Sequence, residues 1–216
     1  MPGGGGSQQD GQRDGDTTWG PLPAETLAVV RGLNNARFVR GNSERELDER
    51  ALDTPRALWI RAQHDELVLP QYEREVVVDV AGLGPARFVH GSPRSDEECV
   101  TPETPPARVR EFMEGVPERV VVTAHTHVSY DRRVGDVRLL NPGSVGLPYE
   151  GVSGVAFWAL LGPDVEHRRT SYDVETAIAR LRASGMAQFE AIEELMREPP
   201  TRAEVIADAE ERVFAG

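Results

Sequence analysis

Cysteine is nearly missing from this chain. Its single thiol, Cys99, provides neither a disulfide framework nor a thiolate zinc site. Long apolar runs are missing too, and none approaches the ~18 residues that a membrane span needs. The Gly/Gln/Asp-rich start, Met1 to Arg13, has no apolar core of a signal peptide. Basic residues are scarce beside acidic ones: 24 against 36 leave a net charge of -12. That balance argues against a basic groove for long nucleic acid or a patch for anionic membranes. It leaves phosphate compounds open, because bound divalent cations would reverse the local sign. A soluble, cytoplasmic protein is expected. The 216 residues suit one domain with an appendage and suffice for a full core.

Three segments follow from composition and punctuation. Residues 1–13 are low-complexity and polar, a disordered arm by expectation. Residues 14–171 alternate strands and helices, the pattern of an α/β layered domain. Residues 172–216 form a helical C-terminal extension, broken at Pro199-Pro200 and restarted by the capping box Thr201-x-x-Glu204. Within the domain, a helix is expected from Pro23 to Leu33, with Leu27, Val30 and Leu33 on one side. A short strand, Ala36 to Val39, ends in Gly41-Asn42-Ser43-Glu44. The charged stretch Arg45 to Val68 should be helical, with Leu58, Trp59 and Leu67 inward. Strands are expected at Glu75–Val80 and Arg87–His90 around the Gly82–Pro85 turn, and at Val155–Leu161 and Val165–Ser171. Thr104 should cap a helix beginning at Pro105.

Arg119 to Pro148 holds the densest information. Val120-Val121-Val122 reads as a strand buried on both faces. At its end stand His125 and His127, which in an extended segment would point to the same side. A turn at Asp131–Gly135 leads to a second run, Val137 to Asn141, which stops at Pro142-Gly143-Ser144. Neutral imidazole is the commonest metal ligand, yet an isolated H-x-H is as often a plain loop pair. The neighbours decide. Asp16, Asn42, His90, His125 and His127 all fall at or just beyond strand ends, where open α/β sheets gather ligands. His64 and His167 lie in ordinary charged surroundings and are assigned no role.

Five blocks in order give the chain a family likeness: Gly15-Asp16 to Gly20-Pro21, Gly41-Asn42-Ser43-Glu44, His90-Gly91-Ser92-Pro93, Ala124-His125-Thr126-His127, and the Asn141-Pro142-Gly143-Ser144 loop. Together they resemble the calcineurin-like metallophosphoesterase superfamily, in particular its small bacterial phosphodiesterase-like branch. The resemblance implies a four-layer αββα sandwich, here N-terminally truncated, with a dinuclear metal centre at the strand ends. It implies that Asp16 bridges two divalent ions, that Asn42, His90 and His125 complete one site, and that His127 belongs to the other. A hydroxide carried by such a centre attacks phosphorus in line while the cations neutralise the phosphoryl oxygens. The mixed O/N donor set suits Mn, Fe, Zn, Ni or Co without choosing among them.

Departures from the family pattern shape the expectation. The residues ahead of Asp16 contain no His and no apolar strand, so the family's opening D-x-H strand and two ligands of one metal are missing. One tightly held ion is therefore expected, with reduced activity. Ser43 stands where many members carry a general-acid His, and Ala124 replaces a Gly, which is mild where φ is negative. Arg94 is a weak candidate for holding substrate phosphate, and Arg45 is equally ambiguous. Asn141 and Ser144 should shape the loop behind the metals, and Trp19 should pack locally.

The expected activity is a phosphodiesterase or phosphatase acting on a phosphate-ester small molecule or nucleotide. The alternatives are a weakened homologue that binds metal or nucleotide without turnover, and an interaction protein built on the helical tail. A metallo-β-lactamase-like centre would need Asp and His where Ser129 and Tyr130 stand. Strands left unpaired by the missing opening should favour self-association.

Overall fold

A computed structural model describes residues 19–49, 53–65 and 72–212. The expected arm over residues 1–13, Asp16 and Leu67 lie outside these residues. The described chain begins with α1 (Pro23–Arg31), β1 (Phe38–Val39), α2 (Asn42–Asp48) and α3 (Pro55–Asp65). It continues with β2 (Tyr72–Glu73), β3 (Glu75–Val80), β4 (Gly84–Val89), α4 (Pro106–Phe112), β5 (Val120–Val122), β6 (Tyr130–Val134) and β7 (Val137–Asn141). The hairpin β8 (Val155–Leu161) and β9 (Val165–Ser171) precedes α5 (Val174–Ala183), α6 (Phe189–Arg197) and α7 (Arg202–Glu211).

The central sheet is mixed and five-stranded, in the order β3-β4-β5-β7-β6. Its three inner strands run parallel, with Phe88 beside Val122 and Val122 beside Leu140, while β3 and β6 close the edges antiparallel. β5 occupies the middle because all three of its valines are buried. Val121 meets Val109, Phe112 and Met113 on the α4 side; Val120 and Val122 meet Leu140, Leu161 and Val165 on the hairpin side. Each such fully buried side chain contributes about 1.5–3 kcal/mol of transfer free energy, so a polar residue in β5 would find no neutral face to turn to.

A second cluster forms beside the sheet. Leu47 of α2 and Ala57 and Ile60 of α3 pack with Trp19 and with Leu181 of α5, Ile192 of α6 and Met186 between those helices. Trp19 therefore does pack into a core, and the tail helps seat the short helix that begins at Asn42. The capping box at Thr201 forms as expected: its hydroxyl accepts from Glu204 N and the Glu204 carboxylate accepts from Thr201 N at 2.8 Å.

Several local expectations fail for physical reasons. α1 stops at Arg31, and Leu33 is 58% exposed because the chain has already left the helix. The 45–68 stretch is two helices rather than one. Leu58 is 50% exposed and points away from the cluster that Ala57 and Ile60 enter. Asp131–Gly135 is mostly strand rather than turn: β6 pairs Val134 with Val137 and leaves only Gly135-Asp136 to reverse the chain. Thr104 does not cap α4. Its Oγ1 accepts from Thr101 N at 2.8 Å and donates to Glu210 of α7 at 2.8 Å, while Pro105 precedes the helix without a side-chain cap.

Candidate metal centre

The carboxyl ends of β4, β5 and β7 carry the site. His90 follows β4 directly, His125 and His127 lie in the loop after β5, and Asn141 closes β7. Two backbone bonds stitch these ends together: Ala124 N donates to His90 O at 2.7 Å and Thr123 N to Leu140 O at 2.7 Å. The first brings His125 next to His90. Asn42 arrives from the other direction, at the first position of α2 after Gly41, whose N–H is held by the Glu44 carboxylate at 3.0 Å.

Three of the expected ligands converge. His90 Nε2 stands 3.0 Å from Asn42 Oδ1 and 3.1 Å from His125 Nδ1, and the two imidazoles meet edge to face with centroids 5.0 Å apart. Asn42 and His90 are buried. Asn42 Nδ2 is buried without a hydrogen-bond partner, a cost of about 1–3 kcal/mol for a group left unsatisfied. The amide is thus held with its oxygen on the His90 imidazole although its nitrogen stays unsatisfied. Neighbouring ligands of a six-coordinate ion with ~2.1 Å bonds are ~3.0 Å apart, so the donor set fits a divalent transition ion. Asp16 lies outside the described residues. Among those described, no group of three or more His, Cys, Asp or Glu is arranged to hold a metal; the convergent trio needs Asn42 to be complete.

The two histidines reach this place in a way the H-x-H spacing does not show. They are not extended. His125 has φ of 61° and His127 of 58°, both left-handed, while Ala124 does not share that conformation. They therefore do not project together from a strand. His125 turns to His90; His127 stacks on Tyr149 (centroids 4.9 Å, planes 24° apart), and its Nδ1 donates to Leu147 O at 2.7 Å. Since a carbonyl only accepts, neutral His127 keeps its lone pair on Nε2, the tautomer commonly fixed behind a metal ligand.

Asn141 does shape this loop. Its Nδ2 donates to Ala124 O at 2.8 Å and Thr126 Oγ1 at 3.2 Å, and its Oδ1 accepts from Gly143 N at 2.9 Å. Gly143 has φ of 86°, and a Cβ there would sit 2.7 Å from Phe157 Cβ. Ser144 Oγ accepts from Leu147 N at 3.1 Å, which sets up the Leu147 carbonyl for His127.

The two arginine candidates are already engaged. Arg94 forks onto Glu98, with Nε at 2.9 Å from Oε2 and Nη2 at 2.5 Å from Oε1. Burial by itself pushes the Glu98 carboxyl up. The Arg94 fork, a Ser92 hydrogen bond and Arg108 outweigh it and hold the group below the usual carboxylate range. Arg45 binds Asp96 at 2.7 Å and Glu97 at 2.6 Å. Ser43 is buried beside Asn42.

The family profile for the calcineurin-like phosphoesterase superfamily domain matches residues 15–160, a span that begins at the Gly15-Asp16 block and holds Asn42, His90, His125 and His127. The chain belongs to that superfamily. Solved structures share the fold. A metallophosphoesterase from Sphaerobacter thermophilus superposes with a TM-score of 0.65 at 21% identity, over 84% of this chain and 84% of that one. The hypothetical protein PH1004 from Pyrococcus horikoshii OT3 gives 0.64 at 17% identity, over 85% and 82%. Curated proteins contain no match. No helix among the described residues is long and apolar enough to cross a membrane.

Four contributors to the site carried no signal in the sequence: the Leu147 carbonyl, Tyr149, Glu150 and Arg202. Each reaches the His127 segment from at least 20 positions away, with no motif spacing to announce it.

Proposed function

We propose that this protein is a metal-dependent phosphoesterase that hydrolyses phosphodiesters or phosphomonoesters of small molecules, nucleotides included. The observation that carries the proposal is that His90 Nε2 lies 3.0 Å from Asn42 Oδ1 and 3.1 Å from His125 Nδ1, with the Asn42 amide nitrogen buried and unpartnered. A divalent ion, when bound, supplies Lewis-acid stabilisation of phosphoryl charge and activates water. Asn42, His90 and His125, with Asp16, would hold one ion. His127 would serve a second ion. Asn42 is neutral, so the trio leaves positive charge uncancelled for a phosphate to meet.

Turnover of bis(4-nitrophenyl) phosphate with added Mn tests this. Mn-dependent hydrolysis abolished by Asp16→Asn and by His90→Ala is expected, with both variants folded. Hydrolysis unaffected by either substitution would defeat the proposal. A second reading, a weakened homologue that binds metal without useful turnover, is favoured by Ser43 at the general-acid position. Metal binding by wild type without measurable hydrolysis of mono- or diesters would select it.

A further inference from the structure

The loop 124–129 contains two left-handed non-glycine residues, each costing about 1–3 kcal/mol, and such conformations persist only where the surroundings over-determine them. Asn141 grips the Ala124–Thr126 end. The other end is gripped from outside the sheet. Glu150 Oε1 accepts from both Ser129 N at 2.6 Å and Ser129 Oγ at 2.7 Å, so one carboxylate oxygen takes both donors of the residue two places after His127. The Ser129 carbonyl accepts from Arg202 Nη1, and that nitrogen lies 3.5 Å from Glu150 Oε2. Both backbone polar groups of Ser129 are therefore fixed by side chains from elsewhere. Glu150 is only 11% exposed, which makes these charge-assisted bonds strong ones.

Arg202 opens α7, a helix beyond the 15–160 span that the family profile matches. α7 is tied to the domain near its start, where Pro200 O accepts from Gly151 N at 3.0 Å, and at its far end by Glu210, which accepts from Thr101 Oγ1 at 2.5 Å and Thr104 Oγ1 at 2.8 Å. The start of α7 thus bonds the segment that carries His127, while its far end docks elsewhere.

We propose that Arg202 and Glu150 are positioning residues for His127: by clamping Ser129 from both sides they keep His127 left-handed, with Nδ1–H on Leu147 O and the lone pair on Nε2. The inference rests on the reading of His127 as a metal ligand only where metal is measured; the tautomer itself needs no metal. α7 becomes part of the site machinery rather than an appendage to it. Substitutions behind a ligating histidine typically weaken metal binding 10–100-fold.

The test uses the full chain and four variants: Arg202→Met, Arg202→Lys, Glu150→Gln and, as a control on the other end of α7, Glu210→Gln. Long-range 1H–15N spectra of the metal-free protein read the His127 tautomer, and a Zn2+ titration followed on the same ring reads its affinity. Wild type should show a single Nδ1–H tautomer. Arg202→Met and Glu150→Gln should mix the two tautomers and raise the half-saturating Zn2+ concentration by about tenfold, with Arg202→Lys restoring most of both. Glu210→Gln should lower the melting temperature and leave the tautomer intact. An unmixed tautomer in Arg202→Met, or an equal change in Glu210→Gln, would overturn the proposal. Absence of Mn-dependent turnover in wild type would sink the phosphoesterase reading, while the tautomer measurement would still decide this one.

Discussion

Arg94→Met removes two hydrogen bonds from a carboxylate that is fully buried. In the native protein Glu98 has no exposed side-chain surface, Arg94 is 45% exposed, and Arg108 reaches the same carboxylate at 3.3 Å. Leaving a buried charge with no partner costs about 3–5 kcal/mol. Here Arg108 remains and solvent already screens half of Arg94, so a loss of about 2 kcal/mol is expected. For a chain of this size that is a fall in melting temperature of about 4–8 °C. The pH dependence has a definite sign. The folded pKa of Glu98 lies below its ordinary value, so the pair contributes its full stability above the usual carboxylate range. That stability is lost as pH falls through the lowered folded pKa, so the gap between wild type and Arg94→Met should close below about pH 4. Replacing both partners, as Arg94→Met with Glu98→Leu, should recover part of the loss, since no buried carboxylate is then left short of partners. Urea unfolding followed by circular dichroism, run beside the diester assay, separates this role from substrate binding. An unchanged unfolding midpoint with KM raised tenfold or more would refute the structural reasoning and return Arg94 to the substrate.

Metal analysis after exhaustive dialysis should find bound metal in wild type and less in His90→Ala; equal content in the two would contradict the role given to His90. Gly91→Ala should cost about 1–3 kcal/mol by overpacking and weaken metal binding at the adjacent His90. The added Cβ would lie 2.6 Å from Ser95 O and 2.8 Å from Glu98 O; wild-type stability and affinity would show the approach to be slack. Among the described residues β8 pairs only with β9, and its seven residues carry no charge to protect the other edge. Concentration-dependent self-association is expected in sedimentation, with melting below about 65 °C; a monomer at every concentration that melts higher would count against it.

What the sequence by itself determined is what depends on near neighbours. Three consecutive valines made β5 a strand with two buried faces, because no residue in it suits water. Thr201 and Glu204 form their capping box because both partners lie within one helical turn. His90, His125 and Asn141 fall at strand ends because apolar runs stop just before them, and β4, β5 and β7 running parallel put those ends on one side. The tertiary structure alone decided the rest. His125 and His127 were misplaced by the rule for extended chain, since both are left-handed in a loop bonded by Asn141, Leu147 and Glu150 from elsewhere in the chain. Arg94 looked available until the fold brought Glu98 into full burial beneath it. Thr104 suits a helix cap locally, but Glu210, 106 residues away, takes its hydroxyl instead. Arg202 gave no sign at all, because a bond to Ser129 across 73 residues exists only once α7 has docked. Backbone periodicity and caps act within about four residues; hydrogen-bond partners are chosen by whatever the completed topology sets within 3 Å.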